Sequence, residues 1–160
     1  MTRLPVYVLA LLVPWSVFGE ESRDTQEINR YVLTEATLSK YASAVEMLRP
    51  LASQVASCEE TEGVESIRAM VTRLDRNPAI KGAIESAGLT TREYVLFSLG
   101  VFQAGMAAWA LDQPGGTLPP GFQRKNVDFY NAHKAAIEGV KPLDESACDE
   151  YAEEQEPIEE

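Results

Sequence analysis

The sequence has few of the residues that enzymes and metalloproteins ordinarily use. Its 160 residues include one histidine, His133, and two cysteines, Cys58 and Cys148. It has no Gly-x-Ser-x-Gly turn, no Cys-x-x-Cys pair and no glycine-rich loop that ends in Gly-Lys-Ser/Thr. Because a zinc site needs three or four His, Cys or carboxylate ligands, we expect no metal site. The sequence also predicts no cofactor and indicates no catalytic residue.

Basic residues are scarce as well. The chain has 14 Lys and Arg against 25 Asp and Glu, a formal net charge of −11. Nine of the acidic residues lie in 143–160, which contains no basic residue. A chain this negative is repelled by phosphate backbones, so nucleic acid is not expected as a partner. We expect the acidic tail to be partly disordered, since it has too little apolar surface to offset the entropy of ordering.

The beginning of the chain has the features of a secretory signal peptide. Arg3 precedes an apolar run over 4–13, and Val17 and Gly19 occupy positions −3 and −1 of a cut after Gly19. The alternative is a membrane anchor, but the apolar segment 4–18 has fifteen residues and two prolines, whereas a spanning helix needs roughly twenty residues. We therefore expect cleavage near Gly19 and a periplasmic or secreted protein, with no membrane span in the mature chain.

The two cysteines favour a structural disulfide. An even count of cysteines in an exported protein is typical of disulfide pairing, and a Cys58–Cys148 bond would tether the acidic tail. It would close a loop of about 90 residues, for which chain entropy gives a stabilisation of about 4–5 kcal/mol. The alternative is a redox-active or metal-binding thiol pair.

The spacing of apolar residues predicts an all-α fold. No stretch alternates with a period of two for long enough to indicate a strand. Apolar residues in 24–57 recur every three or four positions, which places them on one helical face. They are Leu38, Tyr41, Val45, Leu48, Ala52 and Val55. Thr34 is expected to cap the main part of this helix, and Pro50 to break it near Arg49.

Further start and stop signals divide the rest of the chain into helices. The Asn-Pro pair at 77–78 is expected to begin a short helix that ends at Gly88. Thr90 and Glu93 have the spacing of a capping box and predict the start of the next helix. Asn126 is expected to cap the last helix, which would run through Glu138.

The segment 94–111 has eighteen uncharged residues and is apolar on every side of a helix. Such a helix is either the centre of a helical domain or a membrane span. We expect an irregular four- to five-helix bundle around a central helix at about 91–112, in which Met47, Met70 and Met106 fill gaps in the core. The alternative is a membrane-tethered protein that inserts the helix 94–111.

One candidate site follows from the aromatic residues near the Pro/Gly-rich loop 112–122. If the central and last helices pack antiparallel, Trp109, Phe122, Tyr130 and His133 come together in one apolar pocket. The alternative is that the aromatic residues are core and that His133 is a hydrogen-bonded residue at the core boundary.

The sequence admits three kinds of function. The first is non-catalytic binding of a small apolar ligand or of an envelope protein. The second is an enzyme that uses His133 as its acid–base group, and the third is the membrane-tethered protein described above. In each, residues 1–19 are the signal peptide, 20–142 the helical domain and 143–160 the acidic tail.

About half of the mature chain resembles a family of small exported bacterial proteins. The similarity lies in the run from Gly88 through Trp109 and in the later Asn-Val-Asp-Phe-Tyr at 126–130 with His133. This family is known only as uncharacterised, so the resemblance implies a helical domain in a bacterial, periplasmic setting. It carries no activity, cofactor or functional residue to this chain.

Overall fold

The computed structural model describes residues 18–55 and 65–140, with side chains from Arg23 onward. Every regular element in these two ranges is a helix, so the predicted all-α class is confirmed for them. The elements are α1 (Phe18–Arg30), α2 (Glu35–Leu48), a 3-10 turn (Arg49–Leu51), α3 (Ala52–Val55), α4 (Ile67–Asp75), α5 (Pro78–Ser86), α6 (Thr91–Asp112) and α7 (Arg124–Gly139). Most of the predicted signal peptide lies outside the described residues, as do Cys58, Cys148 and the acidic tail, so the predictions about them stay predictions.

Side-chain caps begin three of the helices at the predicted residues. The hydroxyl of Thr34 accepts a hydrogen bond from the backbone N–H of Thr37 at 3.2 Å. Asn77 accepts from two backbone amides of the first turn of α5. Thr90 and Glu93 form the reciprocal capping box at the start of α6. Each cap satisfies donors that a helix end otherwise leaves unpaired, which is why these starts can be read from the sequence.

The predicted interruptions are also present. α2 ends at Leu48, and Pro50 lies in the 3-10 turn that separates it from α3. Gly88, which follows the end of α5, has a φ of +83°, a conformation that glycine adopts without a steric penalty. Residues 31–34 are not helical and separate α1 from α2, in agreement with the predicted start of the main helix at Thr34.

The prediction that Asn126 caps α7 is wrong. The helix begins two residues earlier, at Arg124. The Asn126 side chain instead accepts a hydrogen bond from the backbone N–H of Leu33 at 3.1 Å and donates one to the backbone carbonyl of Tyr31 at 2.8 Å. These groups of the α1–α2 connection have no helical partner, and the buried amide of Asn126 satisfies both.

α6 packs against α1, α2, α4, α5 and α7. The side chains of Tyr94, Val95, Leu96 and Phe97 are buried on the first half of the helix. Small residues continue the buried face along the second half and let the neighbouring helices approach closely. These residues are Gly100, Ala104, Ala107 and Ala108.

The expectation that other helices surround α6 on all sides is wrong for its second half. Phe102, Met106 and Trp109 are 66%, 54% and 68% exposed, because the α1–α2 connection and α7 cover the face formed by the small residues and leave the opposite face in contact with water. The prediction that methionines fill the core is wrong for Met106 and also for Met47, which is 44% exposed.

One helix among the described residues is long and apolar enough to cross a membrane. It is Thr91–Asp112, with a mean hydropathy of 1.5 over an 18-residue window of which 39% is buried by the rest of the fold. A central core helix satisfies the same criteria of length and composition.

Candidate functional site

α6 and α7 pack antiparallel, as the candidate pocket required. Ala107 and Ala108, near the end of α6, pack against Val127 near the start of α7. Val101, earlier in α6, lines one groove together with Ile137 near the end of α7. The two helices therefore form a continuous surface whose residues come from both.

Tyr130 lies at the middle of the contact between α6 and α7. Its ring lies against Gly105, and a Cβ atom added at Gly105 would be 3.1 Å from both Cε2 and Cζ of the ring. The absence of a side chain at position 105 therefore lets the ring approach the backbone of α6, and the ring lines the groove between the two helices.

Three large side chains form an exposed row beside this groove. Phe102, Met106 and Trp109 follow one another at spacings of four and three residues, so they lie on one face of α6. We call these three residues the apolar stripe. The α6–α7 groove next to it has a volume of about 390 Å³. Its lining consists of Val101, Phe102, Gly105, Met106, Trp109, Tyr130 and Ile137.

The structure divides the four residues of the predicted pocket. Trp109 and Tyr130 line the α6–α7 groove. Phe122 packs instead with Leu111 and Leu118 against the cluster at the α6–α7 contact. His133 lines a second groove, between α2 and α7. Two of the four predicted residues thus share a groove, and the other two lie elsewhere.

His133 contacts a carboxylate and an aromatic ring. Its Nε2 atom is 3.4 Å from Oε1 of Glu35, and its ring centroid is 4.3 Å from that of Phe129. The second groove has a volume of about 510 Å³ and also contains Ser39. A partly exposed histidine beside a carboxylate has the geometry of an acid–base pair. The Glu35 side chain is 82% exposed, however, so water weakens its influence on the imidazole.

The Pro/Gly-rich loop is anchored at its end to the α1–α2 connection. The side-chain amide of Gln123 donates hydrogen bonds to the backbone carbonyls of Asn29 and Tyr31. Gln103 of α6 donates to Oδ1 of Asn29 at 2.8 Å. Asn29, Gln103 and Gln123 therefore connect α1, α6 and the start of α7. Their side chains form hydrogen bonds within the protein.

The exposure of Phe102 and Met106 was missed by the sequence analysis, although a signal for it exists. The small residues Gly100, Ala104 and Ala108 recur every four positions and mark the face where other backbones approach. Residues two positions later lie about 200° around a helix, on the opposite side. Phe102 and Met106 occupy such positions, and Trp109 lies beside them.

The comparisons with known proteins add no assignment to these features. No protein-family model, no curated protein sequence and no solved structure matches this chain.

Proposed function

We propose that this protein is a non-catalytic binding protein of the bacterial cell envelope. Its apolar stripe and α6–α7 groove hold the apolar face of an amphipathic helix from another envelope protein. The observation that carries the proposal is the exposure of three large apolar side chains, Phe102, Met106 and Trp109, in one row on a helix whose opposite face is packed.

Single exposed apolar residues are common, but a contiguous row of them is not. From the exposed fractions of 66%, 54% and 68%, and a full area of about 150–250 Å² for a large side chain, the stripe presents roughly 400 Å². Burying this area against a partner is worth on the order of 10 kcal/mol before the costs of association.

The size of the stripe favours one helix as the occupant. Two folded proteins that associate stably bury about 800 Å² on each side, roughly twice what the stripe offers. The stripe places its residues at i, i+4 and i+7 of α6. A single amphipathic helix presents its apolar residues at a matching spacing of i, i+3 or i+4 and i+7. A small ligand fits the groove by volume. It would remain open to water on one side, because the largest lining residues are themselves more than half exposed.

The charge of the chain adds a second property of the partner. α6 has no basic residue in its last turn, and it ends at Asp112, three residues after Trp109. The carboxyl end of a helix carries a partial negative charge. We therefore expect the partner helix to carry Lys or Arg on its polar face, which raises the rate of association.

The cellular setting rests on the sequence. The predicted signal peptide, cleaved near Gly19, and the resemblance to small exported bacterial proteins both support a periplasmic location. The packing of five other helices on α6 supports the finer picture of an irregular helical bundle around α6. The Cys58–Cys148 bond that would tether the acidic tail 143–160 rests on the sequence alone.

The proposal is tested with synthetic peptides and matched variants. A labelled amphipathic peptide with leucine at i, i+3, i+4 and i+7 and lysine elsewhere is titrated with the protein, and its fluorescence anisotropy is measured. A peptide of the same composition with scrambled leucines serves as the second probe. We expect the first peptide to bind and the scrambled one to bind at least about tenfold more weakly, because only the first has one apolar face.

Met106→Ser and Met47→Ser provide the matched pair of variants. Both methionines lie on helices and both are about half exposed, but only Met106 belongs to the stripe. Met106→Ser should weaken peptide binding by about tenfold, the cost of roughly 1–1.5 kcal/mol of lost apolar contact, and Met47→Ser should not. Equal binding by both variants would overturn the assignment of the site. Tight binding of a fatty acid, with no binding of either peptide, would favour the small-ligand alternative.

The contact between His133 and Glu35 favours a second candidate function, an enzyme that uses His133 for proton transfer. Its test is a hydrolase screen of the wild-type protein beside His133→Gln and the control Asn131→Gln, a substitution of an exposed residue on the same helix. Turnover that His133→Gln abolishes and Asn131→Gln retains would support an enzyme. Equal rates for all three proteins would end this alternative.

The membrane-tethered alternative is tested by fractionation. If α6 packs as described, the protein leaves the membrane fraction without detergent under an alkaline wash. Retention in the pellet after that wash would show that the helix 94–111 is inserted, and the binding proposal would then be wrong.

A further inference from the structure

Three arginines lie along one side of α4, two within the helix and one, Arg76, at its C-cap. Arg68, Arg73 and Arg76 line a surface groove of about 550 Å³ together with Glu65 and Thr72. We call the three arginines the arginine face. In a chain with 25 acidic residues and 14 basic ones, such a cluster is a local reversal of the overall charge.

Arg73 is already held by its own neighbours. Its guanidinium donates hydrogen bonds to both carboxylate oxygens of Glu65, at 3.1 and 3.3 Å, and to the backbone carbonyl of Val55 at 3.1 Å. Arg68 and Arg76 are exposed and form no ion pair with any residue in 18–55 or 65–140. Two cations on one helix face are therefore available to an external or intramolecular anion.

Some exposed arginines of this protein are neutralised locally. Arg49 pairs with Glu46 at 2.7 Å, and Arg124 pairs with Asp128 at 3.2 Å. Arg23 and Arg30 of α1 are exposed and form no ion pair with a described residue. Arg68 and Arg76 differ from these two because they line one groove together with a third arginine.

The acidic tail has the complementary charge and the necessary length. Residues 149–160 contain seven acidic side chains and no basic one. The twenty residues that follow Val140 can extend over about 66 Å, which exceeds the diameter of a domain with a radius of gyration of about 15 Å. The tail is covalently attached, so its effective concentration at the arginine face is in the millimolar range.

We propose that residues 149–160 lie on the arginine face of α4 and pair electrostatically with Arg68 and Arg76. The contact covers these cations and keeps other anions away from α4. The predicted Cys58–Cys148 bond would strengthen it, because Cys58 lies only seven residues before Glu65 and the tail would then start close to α4. The contact does not require an ordered tail, since charge attraction acts over about 10 Å at moderate salt.

The test is the rate at which a glutamate-specific protease cuts the tail of the full-length protein. Three proteins are compared by mass spectrometry: the wild type, Arg68→Gln/Arg76→Gln, and Arg30→Gln/Lys125→Gln. The last is the matched control, because Arg30 and Lys125 are exposed, form no ion pair with a described residue and lie outside α4. Both double variants change the net charge by the same amount.

At about 20 mM salt the tail of Arg68→Gln/Arg76→Gln should be cut at least about threefold faster than that of the wild type, because two ion pairs are lost. The control should be cut at the wild-type rate. At about 0.5 M salt the three rates should become equal, since the attraction is screened.

Two results would overturn the proposal. If the three proteins are cut equally fast at low salt, the tail does not lie on the arginine face, which is then free for an external anion. If both double variants are cut faster by the same factor, the tail responds only to net charge and has no specific site.

Discussion

The ring of Tyr130 rests directly on the backbone of α6 at Gly105. A Cβ atom at that glycine would lie 3.1 Å from two ring carbons and 3.3 Å from the hydroxyl oxygen, closer than ordinary contact allows. This packing lets α6 and α7 approach closely beside the apolar stripe, and Gly105 and Tyr130 both line the α6–α7 groove.

Replacing Gly105 by alanine should therefore stabilise the protein less than replacing Gly82 by alanine. Gly82 of α5 has no atom within 4 Å of its would-be Cβ, so Gly82→Ala should gain about 0.5–1 kcal/mol from helix propensity alone. Gly105→Ala has the same gain but must displace the ring of Tyr130, so its net effect should be near zero or negative. Urea unfolding of both variants measures the difference. Equal stabilisation would show that the ring does not lie on Gly105.

Asn126 should be important for stability, because its side chain is buried although most of α7 is not. Asn126→Ala leaves the buried backbone N–H of Leu33 without a partner and leaves the carbonyl of Tyr31 only the longer hydrogen bond from Gln123, which should cost about 1–3 kcal/mol. Asn131, on the same helix, is exposed, and Asn131→Ala should change the stability by no more than about 0.5 kcal/mol. Denaturant midpoints of the two variants that differ by less than the error would contradict the described anchoring.

Two phenylalanines of α6 provide a direct contrast between core and surface. Phe97 is fully buried, and Phe97→Ala should lower the free energy of unfolding by about 3–5 kcal/mol. Phe102 is 66% exposed, and Phe102→Ala should lower it by less than about 1 kcal/mol. Thermal and urea unfolding test both values. A large loss of stability in Phe102→Ala would mean that this residue is packed inside the protein.

Tyr94 should make the fold sensitive to alkali. Burial of its side chain, and then the nearby Tyr41, raise the pKa of the Tyr94 hydroxyl above its usual value of 10.0. A raised pKa in the folded state contributes stability that is complete below about pH 10 and is lost as the pH rises further, because the unfolded tyrosine ionises first. Tyr94→Phe cannot ionise, so its stability should fall less steeply above pH 10. Parallel curves for wild type and variant, measured by urea unfolding at several pH values, would contradict this assignment.

Local signals in the sequence predicted most of the helix boundaries. Thr34, Asn77 and the Thr90–Glu93 capping box act through bonds to neighbouring residues, so the sequence alone contains their information. Asn126 has the same chemistry but satisfies the distant Tyr31–Leu33 connection instead of its own helix. A cap and a long-range anchor cannot be distinguished until the chain is folded.

The candidate site was predicted less well, and for a geometric reason. Spacing on a helix shows which residues share a face, so Trp109 and Tyr130 were correctly placed near each other once antiparallel packing was assumed. It does not show which face of a uniformly apolar helix remains uncovered. The rotation of α7 about its own axis directs His133 toward α2, away from Trp109, and this rotation depends on the contacts of Val127 and Asn126.

The central claim is that the apolar stripe is open to water in the folded protein. Of the two tryptophans, Trp15 lies in the predicted signal peptide, so Trp109 is the sole tryptophan of a chain cleaved near Gly19. The most direct measurement is therefore the emission wavelength of Trp109 in the native cleaved protein and its quenching by acrylamide. We predict an emission close to that of the unfolded chain and strong quenching. A blue-shifted emission that acrylamide does not quench would show that the stripe is covered, and the binding surface proposed for it would not exist.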